Sequence, residues 1–199
     1  MSIRAIFFDF GGVILRTEYQ APRQQLAERF NMEYEDIDKA VFGSPSAQRA
    51  SIGEITEEAH WKEIGKRFKL SDADLKAFEE SFFAGDVIDR DFVEYIDSLR
   101  PKYHVGLISN AWSGLREYIT REKIVTAFDS ITISAEVGVA KPEAKIFQVA
   151  LDQAGVKAEE AVFVDDFQVN IDACESIGMK GVLFKSPQDV LKQLYQVLK

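Results

Sequence analysis

The chain has 199 residues, 46% apolar and 29% charged, a composition that excludes wholesale disorder and allows one generous domain or a core with an insert. Its 24 Lys and Arg against 33 Asp and Glu give a net charge of −9, which argues against nucleic acid, because phosphate-backbone binding needs concentrated cations. The same excess looks unwelcoming to any phosphorylated ligand. No apolar run approaches the ~20 residues of a membrane span, and the one before Asp9 is shorter than the ~7–15 residues of a signal region. A single cysteine, Cys174, cannot close an internal disulfide and fits a reducing compartment. A cytoplasmic protein with no membrane partner is expected.

In chain order, residues 3–8 read first as a strand, apolar without alternation, as a strand covered on both faces reads. Residues 17–85 then show helical periodicity and no strand. Leu26 and Phe30, then Ile37, Val41 and Phe42, mark two short amphipathic helices. Residues 54–68 and 71–83 mark two more, with Ser71 as an N-cap. Four further strand-like runs follow at 104–108, 130–133, 161–164 and 181–184, separated by helix-like stretches. Pro142 as first helical residue and Gly155 as terminator bracket a helix over 143–154; Gly178 ends one begun near Val169; Ser186 and Asp189 open the last with a capping box. Strand–helix alternation implies right-handed crossovers. The expectation is an α/β protein: a three-layer Rossmann-like parallel sheet core over 1–16 and 86–199, and an α-helical cap inserted at 17–85. Hinges are expected near 16–17 and 85–86.

Open parallel sheets bind ligands at the carboxyl ends of their strands. Asp9-Phe10-Gly11-Gly12-Val13 follows the first strand, Ser109-Asn110 the second, and Asp165-Asp166 the fourth; Lys141-Pro142 lies beyond the third. Each is ordinary alone: an Asp after a strand is commonly a turn residue, and Lys before Pro a solvated charge. Together they bring three carboxylates, a hydroxyl, an amide and one cation to one sheet edge. Crowded carboxylates need a cation to hold them, and hard oxygen ligands without His or Cys select Mg2+ over zinc.

These residues, in this order, resemble the four motifs of the haloacid dehalogenase-like hydrolase superfamily, and the cap placement is similar to that of its phosphatase-rich subclass. The resemblance implies that Asp9 is a nucleophile forming an aspartyl-phosphate. It implies Mg2+ held by Asp9, the Gly11 carbonyl and Asp166, with Asp165 behind the ligands or joined through water. Ser109 and the Asn110 amide would hold the phosphoryl group, and Lys141 would neutralise its charge and that of Asp9. Asn170, one turn into the next helix, could orient Asp166 or Lys141, or be an ordinary first-turn residue. The implied partner is a small phosphorylated metabolite, and the chain is expected as a monomer or weak homodimer.

One position departs from the pattern. Superfamily phosphatases carry a second Asp two residues after the nucleophile, as general acid and base; here Gly11 stands there. Asp-x-Gly-x-Val also resembles a subgroup that includes bacterial glucose-1-phosphate phosphatases, whose anomeric leaving group needs little protonation. Glu18, Tyr19 and His60 are candidates for a substitute donor. Two alternatives stand beside the sugar-phosphate phosphatase: a 2-haloacid dehalogenase-type hydrolase, disfavoured by Asp165-Asp166, and a silent phosphate-binding module, favoured only by Gly11. His60 is otherwise expected as a partly exposed helix residue, His104 as structural, Cys174 as buried, and Trp112 as packing that could line the mouth of the site.

Overall fold

The computed structural model describes residues 2–198; the expected core range also takes in Met1 and Lys199, which lie outside the described residues. In chain order the first elements are β1 (Ala5–Phe8), β2 (Leu15–Thr17), α1 (Ala21–Arg29), α2 (Tyr34–Phe42), α3 (Pro45–Ser51), α4 (Glu57–Phe68) and α5 (Asp72–Phe83). Then come β3 (Asp86–Ile88), α6 (Arg90–Ser98), β4 (His104–Ser109), α7 (Leu115–Arg121), β5 (Ser130–Ile133) and α8 (Ser134–Val137). The chain closes with α9 (Ala144–Ala154), β6 (Ala161–Asp165), α10 (Gln168–Ser176), β7 (Lys180–Leu183) and α11 (Pro187–Val197).

Strand β1 is buried at all four positions because it sits mid-sheet, in the order β5-β4-β1-β6-β7, with every neighbour parallel. Its alternate side chains enter two different cores. Ile6 and Phe8 join Val105, Leu107, Val162 and Val164 under α6 and α11. Ala5 and Phe7 join Ile108 and Phe163 under α9 and α10. Two-sided burial is why these strands read as continuous apolar runs. Parallel pairing then puts the carboxyl ends of β1, β4 and β6 on one edge, with Ala5 opposite both His104 and Ala161.

Helices α1–α5 form the inserted helical cap and bury a third cluster of their own, including Leu26, Ile37, Trp61, Ile64, Phe78 and Phe82. Ser44, Thr56 and Ser71 each accept an N–H three residues on, capping α3, α4 and α5. Thr56 therefore starts α4 at Glu57, not at residue 54. The region is entered and left through an antiparallel ribbon, β2 against β3, pairing Leu15 with Ile88 and Thr17 with Asp86. The sequence gives no sign of that ribbon, because three-residue, half-buried strands carry too few apolar positions to show a period. Buried Arg23 ties it to the helices, donating to Asp86 at 3.2 Å and to Asp38 at 2.7 Å.

Other boundaries differ for local reasons. Helix α9 begins at Ala144 with Glu143 as N-cap, so Pro142 lies in the turn before it, not at its first position. Ser186 caps α11 through the Asp189 N–H at 3.3 Å, half of the expected capping box. Cys174 is buried, its thiol pushed up to about 12 by desolvation, and His104 Nε2 pairs with Ser130 Oγ at 2.8 Å.

His60 corrects an expectation. It is fully buried, with Nδ1 2.8 Å from Ser46 Oγ and its ring 4.3 Å from that of Trp112. Burial lowers its pKa from 6.5 to about 4, so the ring is neutral near pH 7 and cannot serve there as a proton donor in cationic form. Above pH 6.5 it is neutral in folded and unfolded chains alike. Between 6.5 and about 4 only the unfolded chain takes up the proton, so stability falls as pH falls. At about 1.4 kcal/mol per pKa unit the loss reaches roughly 3 kcal/mol. Urea unfolding of wild type and His60→Gln at pH 7.5 and 4.5 should show the wild type losing more stability by about that amount; parallel losses would contradict it.

Candidate active site

Asp9 stands one residue beyond β1, its N–H donating to the Val164 carbonyl at 2.9 Å. Its Oδ1 accepts from the Phe10 N–H at 2.7 Å and the Lys141 ammonium at 2.8 Å. Desolvation raises the Asp9 carboxyl to about 7, the Asp165 charge adds to the rise, and Lys141 opposes it. Lys141 is itself buried, and reaches Asp165 Oδ2 at 2.6 Å on its other side. One ammonium thus bridges the ends of β1 and β6.

Asp165 is fully buried and saturated. Its Oδ1 accepts from the Phe167 N–H at 2.8 Å, and Asn170 Nδ2 lies 3.0 Å from both carboxylate oxygens. Asn170 is therefore neither an ordinary first-turn residue nor a partner of Asp166 or Lys141; it orients Asp165. Asp166, next in sequence, differs sharply: its Oδ1 is buried without any partner among the described residues. Burial, then the Asp165 charge, hold its carboxyl above the usual range. Oxygens of Asp9, Asp165 and Asp166 all lie within 4.8 Å of one another.

The turn after β1 is shaped by this approach. Gly12 has φ +77°, and any Cβ there would collide with the Asp166 carboxylate. A Cβ on Gly11, by contrast, would meet nothing within 4 Å. None of Glu18, Tyr19 or His60 is thus within 4 Å of that point; Glu18 pairs with Arg16 at 3.1 Å and Tyr19 is exposed. Sequence alone does not single out Gly12; its place three residues after Asp9, in the turn that leaves β1, is the one available signal.

Ser109 ends β4 and is buried, and Asn110 follows it to the same edge. The Asn110 side chain is already engaged: Nδ2 donates to the Lys141 carbonyl at 2.8 Å, and Oδ1 accepts the Lys141 N–H at 2.7 Å. It holds lysine backbone, so its side-chain amide is not free for a ligand. All eight expected residues, Asp9, Gly11, Ser109, Asn110, Lys141, Asp165, Asp166 and Asn170, lie at or just past this strand edge or on the turns and helix that follow.

Over residues 3–178 the sequence matches the haloacid dehalogenase-like hydrolase family. The chain belongs to that family. It is 26% identical over 209 residues to D-ribitol-5-phosphate phosphatase of Bacteroides thetaiotaomicron, covering 98% of both chains. To glyceraldehyde 3-phosphate phosphatase of Methanothermobacter thermautotrophicus it is 36% identical over 187 residues, covering 91% of this chain and 74% of that one. It spans only 36% and 39% of two longer relatives. A Bacteroides thetaiotaomicron enzyme of the family, solved with magnesium and inorganic phosphate, superposes with a TM-score of 0.79 at 21% identity, over 92% of this chain and 95% of that one. This last likeness shows the fold.

The Asn110 clamp yields a stability test. Asn110→Ala leaves the Lys141 N–H and carbonyl without side-chain partners, at a cost of about 2 kcal/mol. A denaturant midpoint unchanged from wild type would show that the clamp contributes nothing.

Proposed function

We propose that this hydrolase is a Mg2+-dependent phosphatase of small sugar phosphates, working through an aspartyl-phosphate on Asp9. The observation that carries the reading is Lys141, a buried ammonium 2.8 Å from Asp9 and 2.6 Å from Asp165, beside an Asp166 oxygen with no partner. A carboxylate repels a phosphate ester unless cations offset both charges. The unpartnered Asp166 Oδ1 and the absence of a Cβ at Gly12 suit a small cation, and an all-oxygen set suits Mg2+. Asp9, Asp166 and the Gly11 carbonyl would hold it. When bound, the metal would supply positive charge against that of the transferring group.

The chain's own groups then divide the work. One Asp9 oxygen attacks phosphorus in line, forming an O–P bond as the bond to the leaving oxygen breaks. Ser109 and the backbone N–H of Asn110 position the phosphoryl oxygens, while Lys141 neutralises them. Asp165, fixed by Asn170 and Phe167, keeps Lys141 aimed. Water afterwards cleaves the acyl-phosphate, releasing phosphate and restoring Asp9. No side chain at Gly11 protonates the leaving oxygen, so solvent must do so. This supports sugar 1-phosphates, whose anomeric oxygen leaves more easily than a primary alkoxide. The two named relatives support small phosphorylated polyols or aldoses more broadly. Residues 17–85 would act as the cap over a core of 1–16 and 86–199, swinging on the β2–β3 ribbon to exclude water. The protein would act in the reducing cytoplasm as a monomer or weak homodimer.

An ester panel with Mg2+ tests the reading. Turnover should vanish with EDTA and fall at least ~10³-fold in Asp9→Asn. Retained activity in Asp9→Asn overturns the mechanism, and EDTA-resistant activity on 2-haloacids would favour a dehalogenase. No turnover on any ester, with phosphate still bound, would favour the silent module. Gly11→Asp places a carboxyl in open space and should raise turnover of terminal phosphate esters about tenfold or more, leaving sugar 1-phosphates little changed. Equal change for both classes would refute the leaving-group argument.

A further inference from the structure

We propose that Glu57 is a positioning residue: from the first turn of cap helix α4 it sets the loop that leaves β4 after Ser109 and carries Asn110. This rests on the phosphoryl-binding role proposed for those two residues. The loop running on from β4 is held at successive residues from two sides. On the core side, Asn110 clamps the Lys141 backbone, and Ser134 Oγ accepts the Ala111 N–H at 3.0 Å. On the cap side, Trp112 packs its ring 4.3 Å from His60 and edge-on to Trp61 at 5.7 Å. Ser113 Oγ then accepts the Glu57 N–H at 3.2 Å, and Glu57 Oε2 accepts the Gly114 N–H at 2.9 Å.

The last two bonds are reciprocal: one cap residue donates to the loop and accepts from it. Both are backbone bonds at one end, so they fix the position of α4 against the loop, not merely a side-chain pose. The fit is close, because a Cβ on Gly114 would collide with Glu57 Oε2. Glu57 is half-buried and Thr56 caps its helix, so the carboxylate extends from a fixed base. Since that loop begins at Asn110, directly after Ser109 at the end of β4, a shift of the cap at Glu57 is transmitted to the phosphoryl-binding end. Misplacement on the ångström scale is enough to slow a positioned reaction many-fold.

The experiment uses the full chain with Mg2+, well below its melting temperature, and reads both turnover and orthophosphate binding by calorimetry. Glu57→Ala should lower kcat/KM and raise the orthophosphate Kd, each about tenfold. Glu57→Gln keeps an acceptor for the Gly114 N–H and should stay within about threefold of wild type. Gly114→Ala has an ordinary φ of −79° and leaves Glu57 in place but pushes its carboxylate away; it should copy Glu57→Ala. A destabilised fold alone would lower the melting temperature without shifting the phosphate Kd of the folded protein. Wild-type phosphate Kd in Glu57→Ala, or a Gln variant as impaired as the Ala variant, overturns the assignment. Active wild type with inactive Asp9→Asn keeps the phosphatase reading standing in that case. A wild type that neither turns over esters nor binds orthophosphate overturns that reading, and this inference with it.

Discussion

A single buried ammonium, on Lys141, sits between the carboxylates of Asp9 and Asp165, and the site edge of the core is organised around it. Burying charge is costly unless geometry and hydrogen bonds compensate, and here they are supplied in layers. Asn110 grips the lysine backbone from both sides, Asn170 and the Phe167 N–H saturate Asp165, and the Phe10 N–H assists Asp9. The Phe10, Phe167 and Asn170 contacts are local to one strand end, but the Lys141 ammonium joins the ends of β1 and β6, which only the parallel sheet makes adjacent, and Asn110 ties the end of β4 to it. The sheet order, with β1 between β4 and β6, is therefore the condition for the ion cluster to exist.

That cluster remains electrically incomplete. One lysine faces three carboxylates, and Asp166 keeps an oxygen that is buried with no partner. Folded proteins seldom leave a buried anion oxygen unsatisfied without a functional reason. The net charge of −9 changes meaning in this light, since part of the excess is concentrated at one sheet edge instead of spread over the surface. An acidic chain still disfavours polyanions such as nucleic acid. A small anion approaching Lys141 meets a local field that the overall count does not describe.

The inserted helices are joined to the core in more than one way. The β2–β3 ribbon, with Arg16 donating to Asp89 at 2.8 Å and Arg23 to Asp86, forms the covalent entry. Glu57, Trp112, Ser113 and Gly114 form a second contact that is remote from the ribbon in sequence and continuous with the Ser109–Asn110 loop. Ser109 lies on one side of that loop and the aromatic interior of the cap on the other. Packing of His60 against Trp112 is thus part of the same joint, which is why His60 is buried and neutral where a partly exposed helix residue is expected.

Much of this was legible in the residues. Five strands follow from continuous apolar runs, four of the five cap helices from 3.6-residue periodicity with Ser71 as an N-cap, and the site edge from polar residues placed just after strands; the short α3 has no such signal. These are local or periodic signals, set by what each segment must bury. Tertiary structure alone decided the rest. Asp165 and Asp166 are identical neighbours in sequence, yet one ends a strand and is saturated by Lys141 and Asn170 while the other turns out with a free oxygen. Asn110 could have faced a ligand, and instead spends its side chain on the Lys141 backbone. The ribbon, the burial of His60 and the Glu57 contact have no local signature, because their partners lie about 50 to 70 residues away or on another element's face. A side chain's chemistry is written in its residue type; which of its atoms remain available is fixed only when distant segments have taken the others.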